Sequence, residues 1–129
     1  MPSISEVNAV LSHAIERLKL FEKSLNENFE KLSEDDKLTC SSLVKPGLTS
    51  LLNSLDSFPD LSLGHLDKES KTTILSILED MDNQKITLVS MPLVRWYFRE
   101  YGNHADIAYY TLEKVKETFY AAMKTGITT

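Results

Sequence analysis

The sequence has 129 residues, of which 42% are hydrophobic and 26% are charged, and its formal net charge is −5. This length and apolar content allow one domain with a buried core and exclude a disordered chain. The acidic balance argues against a general nucleic-acid-binding protein, because phosphate binding needs a concentrated basic surface. Residues 1–84 carry 15 acidic and 8 basic side chains, whereas residues 85–129 carry 4 and 6. The C-terminal third either faces an acidic partner or simply has differently charged solvated faces.

Cys40 is the only cysteine, so the chain cannot form an internal disulfide bond. A reducing compartment therefore fits best. The sequence shows no signal-peptide pattern at its start and no apolar run approaching the ~20 residues of a membrane-spanning helix. We expect an intracellular protein, cytoplasmic or nuclear, that does not enter a membrane.

The first predicted element is a long amphipathic helix from Ile4 to Leu32. Apolar residues recur along it at alternating spacings of three and four, which keeps them on one face. Ser3, followed by Glu6, predicts a capping box at its start. The same spacing is typical of coiled coils. The stripe is therefore either the core face of an internal bundle or a seam with a second chain, which would give a homo- or hetero-oligomer.

A second helical region is predicted from Ser33, which caps a first turn of acidic residues. Lys45-Pro46-Gly47 interrupts its apolar face, since proline lacks an amide and restricts the preceding residue. We predict either a kinked helix or two short helices that meet there. Phe58-Pro59-Asp60 ends the region, and residues 59–66 form the only candidate joint within a single domain of residues 1–129.

A third helix is predicted to begin after Asp67, whose carboxylate can cap it. Its apolar face continues to Met81, and the polar run Asp82-Asn83-Gln84 is expected to end it. A short turn capped by Thr87 follows and extends to Met91.

Pro92 suits the first position of the next helix, and Gly102 is a natural terminator for it. Asn103 with Asp106 predicts the start of a last helix, which Gly126 would end. No segment alternates apolar and polar residues long enough for a β-strand. The sequence thus predicts an all-α helical bundle of about five helices with a long N-terminal amphipathic helix.

A search for catalytic and metal-binding patterns finds none. Three histidines stand alone, without a second ligand at helical spacing: His13, His65 and His104. Cys40 has no neighbouring base or cation that would stabilise a thiolate. The acidic clusters at 34–36 and 79–82 are expected at helix ends or exposed positions, where their carboxyl groups stay solvated. We therefore expect no enzymatic activity, no metal and no cofactor.

One stretch combines aromatic and basic residues more densely than the rest of the chain. Its members are Arg95, Trp96, Tyr97, Phe98, Arg99, Tyr101, His104, Tyr109 and Tyr110. Successive helical residues point ~100° apart, so one face cannot bury them all. Tyr, Trp and Arg are enriched at binding hot spots. The stretch is therefore either a partner site or a core segment with Trp96 and Phe98 buried. Stacking on a nucleic acid is not expected, because few lysines lie nearby.

The second half of the chain has a recognisable order of features. A helix with Ile74, Leu78 and Met81 leads through a polar turn to Lys85-Ile86-Thr87-Leu88, and a last helix starts with Asp106-Ile107-Ala108. In this order residues 67–124 resemble the N-terminal helical bundle of the transcription elongation factor TFIIS and the integrase-binding domain of LEDGF. Where that family has a Thr-x-Ile-Gly-Lys-like run, this chain has Met91-Pro92-Leu93-Val94-Arg95.

The resemblance implies a module that binds short acidic-hydrophobic segments of disordered transcription regulators. Family members use the loops between their helices for this. By position, the first loop would contribute His65 and Leu66, and the second would contribute Tyr101, Asn103 and His104.

We therefore predict a non-catalytic protein-interaction module or scaffold subunit that binds a peptide or helix of a protein partner. The predicted partner-binding residues are Arg95, Trp96, Tyr97, Arg99, Tyr101, His104 and Tyr110, together with His65 and Leu66 from the resemblance. The alternative is a complex-building subunit that oligomerises through the coiled-coil seam of the first helix.

Overall fold

A computed structural model describes residues 2–62 and 66–127 of the chain, with the backbone alone for residues 102–109. No β-strand occurs in this part of the chain, and the predicted all-α fold with a long N-terminal helix is confirmed. The five α-helices found there are α1 (Ile4–Asn28), α2 (Glu34–Thr39), α3 (Lys45–Asp56), α4 (Lys68–Ser90) and α5 (Pro92–Thr125).

Three helices begin where the sequence predicts, each at a side-chain cap. The capping oxygen accepts a hydrogen bond from an amide of the first turn, which has no partner inside the helix. These bonds run from Glu6 N to Ser3 Oγ (3.1 Å), from Asp36 N to Ser33 Oγ (3.2 Å) and from Ser70 N to Asp67 Oδ1 (2.7 Å).

The end of the first helix differs slightly from the prediction. The α-helix stops at Asn28 and tightens into a 3₁₀ turn over Phe29–Lys31. Leu32 then turns to an extended backbone while its side chain stays buried in the core. The apolar pattern was therefore right about Leu32's burial but not about the helical conformation of the last turn.

The helical region from Ser33 does not break at Pro46. A π-helical turn over Cys40–Val44 joins α2 to α3, and Lys45 N–H donates to Cys40 O across it. Pro46 then falls in the first turn of α3, where a missing amide costs little. Gly47 allows α3 to approach α4 closely, since a Cβ there would lie 2.8 Å from Leu88 Cδ2.

The predicted end of the third helix at residues 82–84 is wrong. α4 continues to Ser90 because Lys85 and Leu88 extend its buried face. Thr87 does not cap a new turn; its hydroxyl donates to Asn83 O within the helix. Packing of this segment thus outweighs its polar composition.

Met91 alone connects α4 to α5. Its backbone is extended (φ −73°, ψ 130°), as expected for the residue before a proline. Pro92 starts α5 as predicted. The helical stretch from Pro92 is interrupted one residue before the predicted stop at Gly102: Tyr101 has non-helical angles (φ −131°, ψ 34°), and two helical stretches of α5 meet there across a kink. The predicted caps Asn103 and Asp106 lie where side chains are not described.

α1, α3, α4 and α5 form a four-helix bundle in which each helix packs on two neighbours. α1 lies between α3 and α5, and α4 lies opposite α1. Cross-helix pairs such as Ser24 with Tyr97 and Lys85 with Glu113 show that adjacent helices run antiparallel. The bundle therefore has the up-down-up-down arrangement that short connections favour.

One hydrophobic core runs through the bundle and draws on residues from both sides of the segment 59–66. The apolar stripe of α1 belongs to it, and its buried members are Val7, Ala14, Leu18, Phe21 and Leu25. Most of this stripe therefore faces the core of its own bundle, which does not fit its use as a seam with a second chain. After α3, the ring of Phe58 stacks on Phe119 of α5 at 4.3 Å between centroids.

A lysine occupies a core position of α4. Lys85 is 6% exposed and forms ion pairs with Glu113 of α5 and, at 3.3 Å, with Asp82. Asp82 also accepts a hydrogen bond from Lys116 at 2.6 Å. Burial would raise the pKa of Asp82, but the hydrogen bonds from Lys116 and Lys85 outweigh it and hold the pKa below its ordinary value of 3.8. The expectation that the 79–82 cluster is simply solvated is therefore wrong for Asp82.

Replacing Asp82 should make stability depend less on pH. Because its folded-state pKa is lowered, Asp82 contributes stability that is present above the ordinary pKa and is lost as pH falls through the folded-state value. We expect Asp82→Asn to lower the free energy of unfolding by about 2 kcal/mol at neutral pH, and the difference to vanish in acid. Urea unfolding from neutral pH to below pH 3.8 measures both. Exposed Asp80→Asn is the matched control, and a pH-independent difference would contradict the ion-pair assignment.

Candidate functional site

The aromatic-basic stretch spans the kink of α5, and burial divides the residues that precede the kink. Tyr97 points into the core, whereas Arg95 and Arg99 are exposed. Trp96 and Tyr101 are partly buried and pack against the core with the rest of each ring at the surface. The two arginines are four residues apart, so they share one face of the helix.

Tyr97 is a core residue and not part of an accessible surface. It is 1% exposed, and its hydroxyl is hydrogen-bonded to the Ser24 hydroxyl of α1. Its ring lies 5.6 Å from that of Phe21 and 4.7 Å from that of Tyr101. Burial raises the pKa of the Tyr97 hydroxyl, despite its hydrogen bond with Ser24. The predicted partner-binding role of Tyr97 therefore does not fit its position.

Trp96 and Tyr101 form an edge-to-face pair at the start of α5, with ring centroids 6.1 Å apart and an interplanar angle of 75°. Tyr101 is also the residue at which α5 kinks, and its ring contacts those of both Trp96 and Tyr97. The pair is thus held by its own contacts while part of each ring stays accessible.

Arg95 and Arg99 have no ion-pair partner among the residues whose side chains are described. Their guanidinium groups are therefore available to carboxylates from outside the chain. We refer to Arg95, Trp96, Arg99 and Tyr101 as the basic-aromatic face. These are the predicted site residues in the first part of α5 that keep exposed or partly exposed side chains.

The other predicted site residues do not join this face. Tyr110 lies beyond the kink and is 75% exposed in a groove between α1 and α5. Leu66 is half-buried against the core. His65 lies outside the described residues, as does the side chain of His104.

The groove between α1 and α5 is a second surface feature that the sequence did not predict. Its walls come from two antiparallel helices: Glu6, Ala9, Val10 and His13 of α1, and Tyr110, Lys114, Glu117 and Ala121 of α5. The signal available in the sequence was the pair Ala9 and Val10, which interrupts the otherwise polar outer face of α1. Nothing in the sequence shows that they lie beside a segment one hundred residues away.

The described part of the chain contains no cluster of three or more His, Cys, Asp or Glu residues placed to hold a metal ion. Cys40 is buried in the core, and burial raises the pKa of its thiol, which disfavours the nucleophilic thiolate. The two surfaces present charged side chains and exposed or partly exposed aromatic rings.

Comparison of the chain with protein-family models, curated proteins and solved structures gives no match. Of the helices described, none combines the length and apolar character needed to cross a membrane.

Alanine substitutions should separate core from surface within the aromatic-basic stretch. We expect Tyr97→Ala to lower the free energy of unfolding by about 4 kcal/mol, because it leaves a cavity between α1 and α5. Arg99→Ala, two residues away and exposed, should change it by less than about 0.5 kcal/mol. Chemical denaturation followed by circular dichroism gives both values. Equal losses for the two variants would overturn the division of the stretch into core and surface.

Proposed function

We propose that this chain is a non-catalytic protein-interaction module that binds an acidic, partly apolar peptide or helix of a partner through the basic-aromatic face. The observation that carries the proposal is the pair of exposed arginines, Arg95 and Arg99, which have no ion-pair partner among the described side chains and share the first part of α5 with the partly exposed Trp96 and Tyr101.

The chemistry of the face favours carboxylates combined with apolar side chains. A guanidinium group binds a carboxylate through two parallel hydrogen bonds, and the spacing of Arg95 and Arg99 allows two acidic residues to be held one helical turn apart. The exposed parts of Trp96 and Tyr101 supply apolar contact area of the kind found at binding hot spots. A peptide segment that combines acidic and hydrophobic residues can bind the arginines and also contact the aromatic rings.

A protein partner fits this face better than a nucleic acid. The face holds only two cations, with the exposed acid Glu100 beside them, and the whole chain has a net charge of −5. Phosphate backbones are bound by larger basic surfaces. We also place the protein inside the cell, where acidic-hydrophobic segments of protein partners occur.

Charge reversal of the two arginines tests the proposal. The probe is a fluorescein-labelled peptide in which Asp and Glu alternate with Leu and Phe, and fluorescence anisotropy measures its affinity. We expect the unmodified protein to bind the peptide. The Arg95→Glu, Arg99→Glu variant should lose at least tenfold in affinity, because its new carboxylates repel those of the peptide. Trp96 is the only tryptophan, so its emission should change when the peptide binds.

Two controls make the result specific. Lys68→Glu with Lys71→Glu reverses two exposed charges on α4 and should leave the affinity unchanged. A peptide with Lys and Arg at the acidic positions should not bind. Equal losses in both double variants, or equal binding of both peptides, would remove the basic-aromatic face as the site.

A further inference from the structure

The first part of α5 presents one side to the core and the other to solvent. α5 is helical from Pro92 to the kink at Tyr101, and successive residues project ~100° apart around its axis. Leu93, Val94 and Tyr97 are buried and define the inner side. The outer side carries residues that are exposed or, for Trp96, partly exposed: Pro92, Arg95, Trp96, Arg99 and Glu100.

These outer residues follow a fixed order around the helix. Measured from Arg95, the side chain of Arg99 points ~40° further round the axis, that of Trp96 ~100° and that of Glu100 ~140°. Pro92 lies one turn before Trp96, close to the same direction. The outer side therefore has a basic edge (Arg95 and Arg99), an apolar centre (Pro92 and Trp96) and an acidic edge (Glu100).

The apolar centre is ordered in the absence of a partner. The Trp96 ring packs against the core and makes an edge-to-face contact with Tyr101. Pro92 has a fixed φ angle and begins the helix. Groups that are already ordered lose little conformational entropy on binding, so the apolar centre is suited to contact an apolar side chain of a partner.

The charges on the two edges do not neutralise each other. Arg99 and Glu100 are adjacent in sequence, and neighbouring residues of a helix do not face each other. Among the residues whose side chains are described, none forms an ion pair with Arg95, Arg99 or Glu100. Both edges can therefore attract charged groups of a partner.

We infer that the partner segment is an amphipathic helix whose two flanks carry opposite charges. Its acidic residues, one turn apart, lie against the basic edge, and a basic residue lies against the acidic edge. Apolar side chains between the flanks cover Trp96. The inference rests on the proposed function and adds Glu100 as the residue that selects among acidic partners. A helix that is acidic on both flanks is disfavoured, because its second acidic flank faces Glu100.

A helix matches the three parallel edges, whereas an extended segment does not. The side chains of an extended segment alternate between two opposite faces, so only one row of them points at α5. A helix presents several rows on one side. Its residues at i and i+4 are about 6 Å apart, which is also the spacing of Arg95 and Arg99 on α5.

Two stapled helical peptides of identical composition test the role of Glu100. Both carry two Glu residues at i and i+4 beside a stripe of Leu residues. One peptide has a Lys on the flank opposite the Glu residues, and the other has this Lys on the outward face of the helix. Fluorescence anisotropy at low ionic strength should show that the protein binds the flank-Lys peptide about threefold more tightly, the contribution of one exposed ion pair.

Substitutions of Glu100 should change this preference. Glu100→Gln should abolish it, and Glu100→Lys should reverse it, because the added cation repels the Lys of the peptide flank. Glu79→Lys, the same change of charge at an exposed position of α4, is the matched control and should leave the preference intact. Salt at about 0.5 M should weaken the preference, because it screens exposed charges.

Equal affinity for the two helical peptides, or a preference that survives Glu100→Gln, would overturn this inference. Circular dichroism of each variant verifies that the helices are intact. Binding of the alternating Asp/Glu and Leu/Phe peptide but of neither helical peptide would also overturn it and would leave the proposed function standing. If no acidic peptide binds, the proposed function fails and this inference fails with it.

Discussion

The neutralisation of Lys85 constrains the whole bundle. An ammonium group in a hydrophobic core is tolerated only when carboxylates meet it, since an unpaired buried charge costs several kcal/mol. Asp82 supplies one carboxylate from α4 itself, and Glu113 supplies the other from α5. Sliding α5 by one turn would separate Glu113 from Lys85 and Lys116 from Asp82. The ion pairs between the two helices therefore favour the observed register of α5 against α4.

A fixed α5 positions both surface features of the molecule. The basic-aromatic face lies on α5 before the kink at Tyr101, and the groove lies along α5 after it. The buried Tyr97 hydroxyl, bonded to Ser24, sets the rotation of the first part so that Arg95 and Arg99 face outwards. One helix thus carries two surfaces of different chemistry, one basic and aromatic, the other with separated charges on a small-residue floor.

Local signals in the sequence predicted local structure well. The caps at Ser3, Ser33 and Asp67 are right because a cap depends only on the residues of one turn. The predictions failed where contacts between residues distant in sequence determine the local structure. α4 runs on past its polar run because Glu113, 28 residues later, neutralises Lys85. The density of aromatic residues in the aromatic-basic stretch indicated that some of its rings must be exposed. Which rings these are depends on the rotation of α5 against α1, and the sequence does not show that rotation. The groove could not be foreseen, because its two walls are far apart in sequence.

The one-residue connection between α4 and α5 bears on how copies of this chain exchange parts. Two antiparallel helices joined by so short a hinge are prone to open into one continuous rod, which lets α5 leave its own bundle and complete that of a neighbour. Such a rod needs Met91 to become helical. Pro92 opposes this, since its ring clashes with a helical residue before it. Pro92 thus disfavours the continuous α4–α5 helix that such an exchange would need.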